Sequence, residues 1–307
     1  RRLYPADLQP NEPGKQGGNI PVKKKAHHAR WLSLSFRHGL LLLLSALWLL
    51  PVIWLLLCSF GIDKGPNIRS FFPEGYTLRH YQDLLGRQDS VSQFPRWFLN
   101  SLIIAVFNCV ISSVFVLSTA YCMSCMRFPL RKPLMHIAII LNLFPGFLAM
   151  IAVYSVMKRL GLTDGNTGLI IIYSATSGLS YLVAKGFFDT IPRSLRESAT
   201  IEGATEAIIF QKIILPLSRP IIVYTVISAF LAPWTDFIFA NIMLPSKISA
   251  QKTVALGLYS MVSRVNINEY FARFCAGGVL VSIPISILFV IMQKFYVEGI
   301  TGGAVKG

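Results

Sequence analysis

The sequence predicts an all-α integral membrane protein: six transmembrane helices, with a surface helix in the loop between the fourth and fifth. Three observations predict this class. Of 307 residues, 53% are hydrophobic and only 14% are charged, where a soluble domain is about one quarter charged. Mean hydropathy is +0.56. Apolar runs close to twenty residues long, the length a helix needs to cross hydrocarbon, recur along the chain. They leave no room for a large soluble domain.

Residues 1–37 precede the first run, and their Pro, Gly, Gln and Lys content predicts a largely disordered arm. The arm lacks the short apolar core and small-residue cleavage site of a signal peptide. The chain opens at Arg1 without a methionine, so some natural sequence is expected to precede it. The six predicted spans, at 38–60, 97–121, 134–157, 168–184, 220–243 and 274–293, form one domain over 38–297, and 298–307 is a tail. The fourth, GLIIIYSATSGLSYLVA, is short and rich in small and hydroxyl residues. Small residues let helices approach closely in lipid, so this span is expected to face other helices. Pro51, Pro145, Pro233 and Pro284 fall inside spans. Each removes a backbone donor and predicts a kink whose freed carbonyl needs a neighbour or water.

Basic residues set the orientation. With the amino terminus cytoplasmic, segments 1–37, 122–133, 185–219 and 294–307 lie inside and carry 18 of the 29 lysines and arginines. The bias favours both termini in the cytoplasm, and Lys23, Lys24 and Lys25 stand just before the first span.

The same distribution accounts for the net charge of +15. The basic residues sit between spans rather than in one stripe, and no nucleic-acid-binding motif accompanies them, which excludes nucleic acid as a partner. Cys122 and Cys125 form a C-x-x-C, but no second pair or suitably spaced histidine joins them, so packing near a membrane surface is expected and no metal. The glycines of 161–168 and 299–307 do not fit G-x-x-x-x-G-K-[ST], so no ATP site is expected in this chain. His27, His28, His38 and His136 lie at span edges or on the arm, with almost nothing in the spans to relay a proton to. No G-x-S-x-G elbow is present, and an enzyme is not expected.

The segment RESATIEGATEAIIFQKIILP, Arg196 to Pro216, lies within the predicted cytoplasmic loop at 192–216. Pro192 suits a first helical turn, Ala199, Ala204 and Ala207 favour helix, and Gly203 interrupts it. A short helix, a glycine turn and a second helix ending near Pro216 follow. Glycine there serves either a positive φ or the close approach of a partner's backbone, and a bulky residue at 203 is expected to crowd the turn. So short a helix needs something to pack against. One candidate is the lipid headgroup layer; the other is a protein. Glu197, Glu202 and Glu206 are poorly matched to an anionic leaflet and favour the protein.

These residues resemble a known pattern. Glu197, Ala199, Gly203, Ala204, Ile213, Leu215 and Pro216 look like the E-A-A-x-x-x-G-A and I-x-L-P of the permeases of ABC importers. In that family the loop forms a coupling helix seated in a cleft of a nucleotide-binding subunit. Ser198 replaces the middle alanine, and Glu202 stands where aspartate is common. WTDFIFA (234–240) is similar to a carbohydrate-importer motif, RWFLNSLIIA (96–105) to the start of the transmembrane core, and YVEGITGGAVKG (296–307) to the tail of the second permease of maltose-type transporters.

The resemblance implies a non-catalytic permease in a bacterial cytoplasmic membrane. It would pair with a second permease, two nucleotide-binding subunits that hold ATP and Mg, and an extracellular sugar-binding protein. Glu197, Ser198, Ala199, Glu202, Gly203, Ala204, Leu215 and Pro216 would carry the coupling. Gly302, Gly303 and Lys306 in the tail would lie at the ATPase interface, and 244–273 would meet the binding protein. Asp236 is the one formally charged residue inside a predicted span. It either lines a path, with Trp234 and Phe237 as aromatic neighbours, or makes a packing hydrogen bond. The substrate implied is a maltodextrin-like oligosaccharide. A permease for a non-sugar solute and a self-contained channel or carrier are the alternatives, the second requiring more charge within the spans.

Overall fold

The computed structural model describes the backbone of residues 23–304 apart from 67–70, 87–88, 90, 144–145, 164, 177–179 and 245–248. Side chains at 23–35, 147 and 294–304 are not described. The described residues are helical, with a single isolated antiparallel bridge between Gly61 and Tyr76. The chain divides into Arg1–Ile53 and Trp54–Gly307.

The first unit is dominated by α1 (Lys23–Phe60), a helix that continues past the unit's end. Its leucines from Leu40 to Leu50 are exposed, as lipid-facing side chains would be. Helix begins at Lys23, so the last part of the predicted arm is ordered into α1, and residues 1–22 lie outside the described residues.

The second unit is organised on α3 (Phe94–Cys125), reached through the short α2 (Arg79–Gly86). One face of α3 buries Phe94, Trp97, Ser101, Ile104, Ala105, Asn108, Ser112, Val116 and Ala120. Steps of three and four residues place them on a single stripe. Asn108 sits on it with its polar atoms satisfied: Nδ2 donates to the Ala229 carbonyl at 2.7 Å and Oδ1 accepts from Ser112 at 2.7 Å.

The third predicted span is broken. α4 (Arg131–Leu143) and α5 (Gly146–Arg159) are 13 and 14 residues long, and their axes bend by 105°. At about 1.5 Å per residue neither crosses the membrane alone. Pro145, expected as a kink, lies outside the described residues. The fourth span is α6 (Asn166–Thr176) with α7 (Tyr181–Phe188). Nearly half of its apolar window is buried, 47% against 0% for Phe36–Phe60. That is the helix-facing span its small residues predicted.

The loop at 192–216 holds α8 (Arg193–Ile201), α9 (Glu206–Ile209), a wider turn at Phe210–Ile214 and α10 (Leu215–Leu217). α11 (Arg219–Thr235) then departs at 86° from the Glu206–Leu217 axis, so that Glu206–Leu217 lies across the span instead of extending it. The fifth predicted span, 220–243, stops early: Asp236 terminates α11, and α12 (Ile238–Met243) restarts two residues later. Among the described residues four helices are long and apolar enough to span unaided, and up to six spans result if each bent pair counts as one.

Segment 244–273 is not a simple loop. α13 (Val254–Met261) buries Val254, Leu256, Gly257, Leu258 and Met261. α14 (Ile267–Ala304) ends the described chain.

Candidate functional site

α8 ends on a glycine for a backbone reason. Gly203 has φ +83°, a left-handed conformation that an L side chain enters only with strain. The Gly203 N–H donates to the Thr200 carbonyl at 3.0 Å, and the Ala204 N–H reaches back to the Ala199 carbonyl at 2.9 Å. This pair of bonds is the Schellman motif, which satisfies orphan carbonyls of the last turn. Its customary apolar contact joins the same two residues: Ala199 is buried and Ala204 packs against the same cluster. Small residues at 199 and 204 therefore have a local cause. Its immediate chain neighbours aside, no described atom lies within 4 Å of a Cβ built on Gly203, so within this chain it is the positive φ that requires glycine.

The next helix starts at once. Thr205 takes an extended conformation (φ −74°, ψ 156°), and its hydroxyl accepts from the Ile208 N–H at 3.4 Å, an N-cap. Ile209, Ile213, Ile214 and Leu215 then pack into a cluster with Val116, Ala120 and Tyr121 of α3 and with Tyr181 and Phe188 of α7. Pro216 is exposed in α10, just before the 86° bend.

α8 itself contributes little to that cluster. Ala199 is its one buried residue, while Glu197, Ser198, Glu202 and Gly203 are exposed and Ile201 is 87% exposed. The structure thus splits the predicted coupling residues into two sets. Ala199, Ala204 and Leu215 hold the loop to the chain; Glu197, Ser198, Glu202, Gly203 and Pro216 face away from it.

Three polar residues that motif reasoning did not assign hold the loop in place. Arg196 donates through Nη2 to Glu206 Oε1 at 2.9 Å and through Nη1 to the Cys125 carbonyl. Tyr121 donates its hydroxyl to Glu206 Oε2 at 2.5 Å. The tyrosine bond, with the guanidinium beside it, holds the Glu206 carboxyl below the usual carboxylate range. Beside them Ser124 donates to Asp189 at 2.6 Å, and Lys185 pairs with the same carboxylate at 2.5 Å. The sequence signal was an arginine and a glutamate ten residues apart across a glycine, which acquires meaning only once the turn is known. A cavity of about 1140 Å³ opens between α8 and the end of α3, lined by Arg127, Arg131, Arg193, Arg196, Glu197 and Glu206 among others.

The residues of the second predicted set each make contacts of their own. Trp234 is buried against Phe98 and Phe230, with ring centroids at 5.3 and 5.9 Å. Phe237 packs at a tilt against Tyr259, with ring centroids 4.4 Å apart. Asp236 accepts from the Tyr173 hydroxyl at 2.5 Å and from the N–H groups of Phe239 and Ala240, both at 3.1 Å. It caps α12 and ties it to α6. Gly302 and Gly303 lie in the backbone of α14, and Lys306 lies outside the described residues. Among the described residues no cluster of His, Cys, Asp and Glu could hold a metal ion.

Over residues 119–301, which include the whole loop, the sequence matches the family described as binding-protein-dependent transport system inner membrane component. The chain belongs to that family. It is thus a multi-pass inner membrane component, as its apolar helices require. The chain is 33% identical over 279 residues to the galactooligosaccharides transport system permease protein GanQ of Bacillus subtilis, covering 91% of this chain and 97% of that one. It is 32% identical to the maltose/maltodextrin transport system permease protein MalG of Escherichia coli, covering 93% and 99%. Among solved structures it resembles a bacterial ABC transporter involved in the import of the acidic polysaccharide alginate, with a TM-score of 0.71, 21% identity and coverage of 90% and 100%. At that identity the likeness concerns the fold alone.

Proposed function

We propose that this chain is a permease subunit of an ATP-driven oligosaccharide importer, forming half of the translocation path. α8 is its coupling helix. The observation that carries the reading is the exposure of α8: a nine-residue helix with one buried residue, fixed at its end by Gly203 and presented outward. A helix this short does not persist alone, so a surface to dock against accounts for its form. In this reading Glu197, Ser198, Glu202 and Gly203 meet a nucleotide-binding subunit. A pair of such subunits binds ATP and Mg and carries the catalysis, so this chain is not itself an enzyme.

The remaining parts follow from the same assembly. A second permease completes the path, and an extracellular sugar-binding protein delivers substrate to segment 244–273. Both termini lie in the cytoplasm, consistent with 18 of 29 basic residues on that side. The tail with Gly302, Gly303 and Lys306 reaches the interface of the ATPase pair. Maltodextrin is the first substrate to test and galactooligosaccharide the second, because relatives named for each are similar to the chain by nearly the same margin. Docking on α8 that differs between nucleotide states would bias the path between two conformations.

The decisive experiment co-expresses the chain with its neighbouring transport genes and reconstitutes the purified complex in proteoliposomes. Expected results are co-purification with an ATPase and uptake of labelled oligosaccharide that needs both ATP and the binding protein. A chain that never retains an ATPase, or that moves solute without one, overturns the reading.

A further inference from the structure

Gly203 sits between two helices that must move as one body if α8 is to transmit anything. A glycine at φ +83° with open space around it is a natural place for a bend to absorb motion. Three side chains span that weak point. Arg196 lies on α8, before the glycine, and Glu206 opens α9, after it; their ion pair at 2.9 Å closes the turn from outside. Tyr121, 5% exposed in α3, donates to the same carboxylate at 2.5 Å, and its ring packs on Phe210 at 4.8 Å. Arg196 also donates to the carbonyl of Cys125, the last residue of α3. Unpaired carbonyls and the helix dipole favour a cation there.

We infer that Tyr121, Arg196 and Glu206 are positioning residues, a clamp that locks the Gly203 turn to the end of α3 so that displacement of α8 reaches the membrane helices. The inference rests on the coupling role proposed for α8. Its geometry closes a loop of contacts, α8 to α9 through the ion pair, α9 to α3 through the tyrosine bond, and α3 back to α8 through the Cys125 carbonyl. A closed polar network is stiffer than any of its bonds alone. Without it, Gly203 would be bridged by the Schellman bonds and the contact of two alanines.

The test uses the reconstituted importer complex and reads sugar moved per ATP hydrolysed. Tyr121→Phe removes one hydroxyl and keeps the ring, and Glu206→Gln keeps an acceptor and removes the charge. Both should retain the ATPase subunits and hydrolyse ATP within about twofold of the wild-type rate, while the sugar-to-ATP ratio falls about fivefold or more, as loss of a charge-assisted bond allows. The double reversal R196E with E206R should recover part of the ratio that R196E alone loses. An unchanged ratio in Tyr121→Phe and Glu206→Gln overturns the clamp, as does a loss fully explained by missing ATPase subunits. Hydrogen exchange at Ala204 and Thr205 supplies a readout independent of transport: faster exchange in Glu206→Gln is expected, and equal protection overturns the clamp. A wild-type complex without ATP-dependent uptake would instead refute the importer reading, leaving exchange to decide whether the three residues hold the turn.

Discussion

The two ends of α3 each grip a short helix, and they do so by different means. At the Phe94 end the helix is α13, gripped largely through the segment that leads into it, and the contacts are neutral and partly buried, the bond to Val254 fully so. Trp97 donates to the Ser249 carbonyl at 2.7 Å, Asn100 to the carbonyls of Ala250 and Lys252 at 2.9 and 3.1 Å, and the Ser101 hydroxyl accepts from the Val254 N–H at 2.9 Å. At the Cys125 end the helix is α8, held by an ion pair whose side chains remain 31% and 41% exposed. Neutral bonds to backbone carbonyls leave no charge for a partner to meet, whereas partly exposed charges, even when paired, stay within reach of water and of a partner. α13 is thus built into the chain, while α8 is held yet available to something else.

Glycine marks the same contrast. Gly257 of α13 has no room for a side chain, because a Cβ there would stand 2.0 Å from the fully buried Trp97 ring. Gly203 has room and lacks a normal backbone. The largest effect is therefore expected at the first site. Gly257→Ala should lower stability by about 1–3 kcal/mol or more through overpacking, seen as an earlier thermal unfolding midpoint of the detergent-purified chain. A midpoint matching wild type would mean that α13 is not seated on Trp97 and would remove the comparison.

A smaller and different effect is expected at the second. Gly203→Ala should cost about 1 kcal/mol, the penalty of a left-handed backbone, and Gly203→Asn less, since asparagine tolerates that region better. A larger loss for asparagine than for alanine would point to volume rather than φ. If a partner's backbone approaches this turn, the asparagine variant should keep its stability and lose ATPase retention. Comparing unfolding midpoint with co-purification therefore separates the two roles a glycine can have here.

The contrast was only half legible in the sequence. Gly203 and Ala199 could be read because a helix terminator is local chemistry, settled within six residues; Ala204, expected to favour helix, instead lies just past the turn. The long apolar windows could be read because hydrocarbon thickness fixes their length. Arg196, Glu206 and Tyr121 could not, since the tyrosine and the Cys125 carbonyl lie 85 and 71 positions from their partners. α13 was hidden for another reason. VALGLYSM is apolar but only eight residues long, too short for a span, so 244–273 read as an external segment. Likewise 220–243 read as one apolar run, although Asp236 caps a helix start inside it. Periodicity and length report the solvent; they do not report where a run breaks.

The smallest expected effect is at Ser198, and it sharpens what exposure means at the Cys125 end. Ser198 is exposed one position before the buried Ala199, on the side of α8 that faces away from the cluster. A surface change of this kind ordinarily alters stability by no more than about 0.5 kcal/mol, and alanine is a slightly better helix former than serine. Ser198→Ala should therefore leave the unfolding midpoint of the isolated chain unchanged or slightly raised. The same substitution removes a hydroxyl from the proposed docking face, so ATPase retention is the quantity that can move. A shift in retention at constant midpoint would place Ser198 at a contact that exists only in the assembled complex. A drop in midpoint would show that α8 leans on the chain through more than Ala199, and the difference between the two ends of α3 would shrink accordingly.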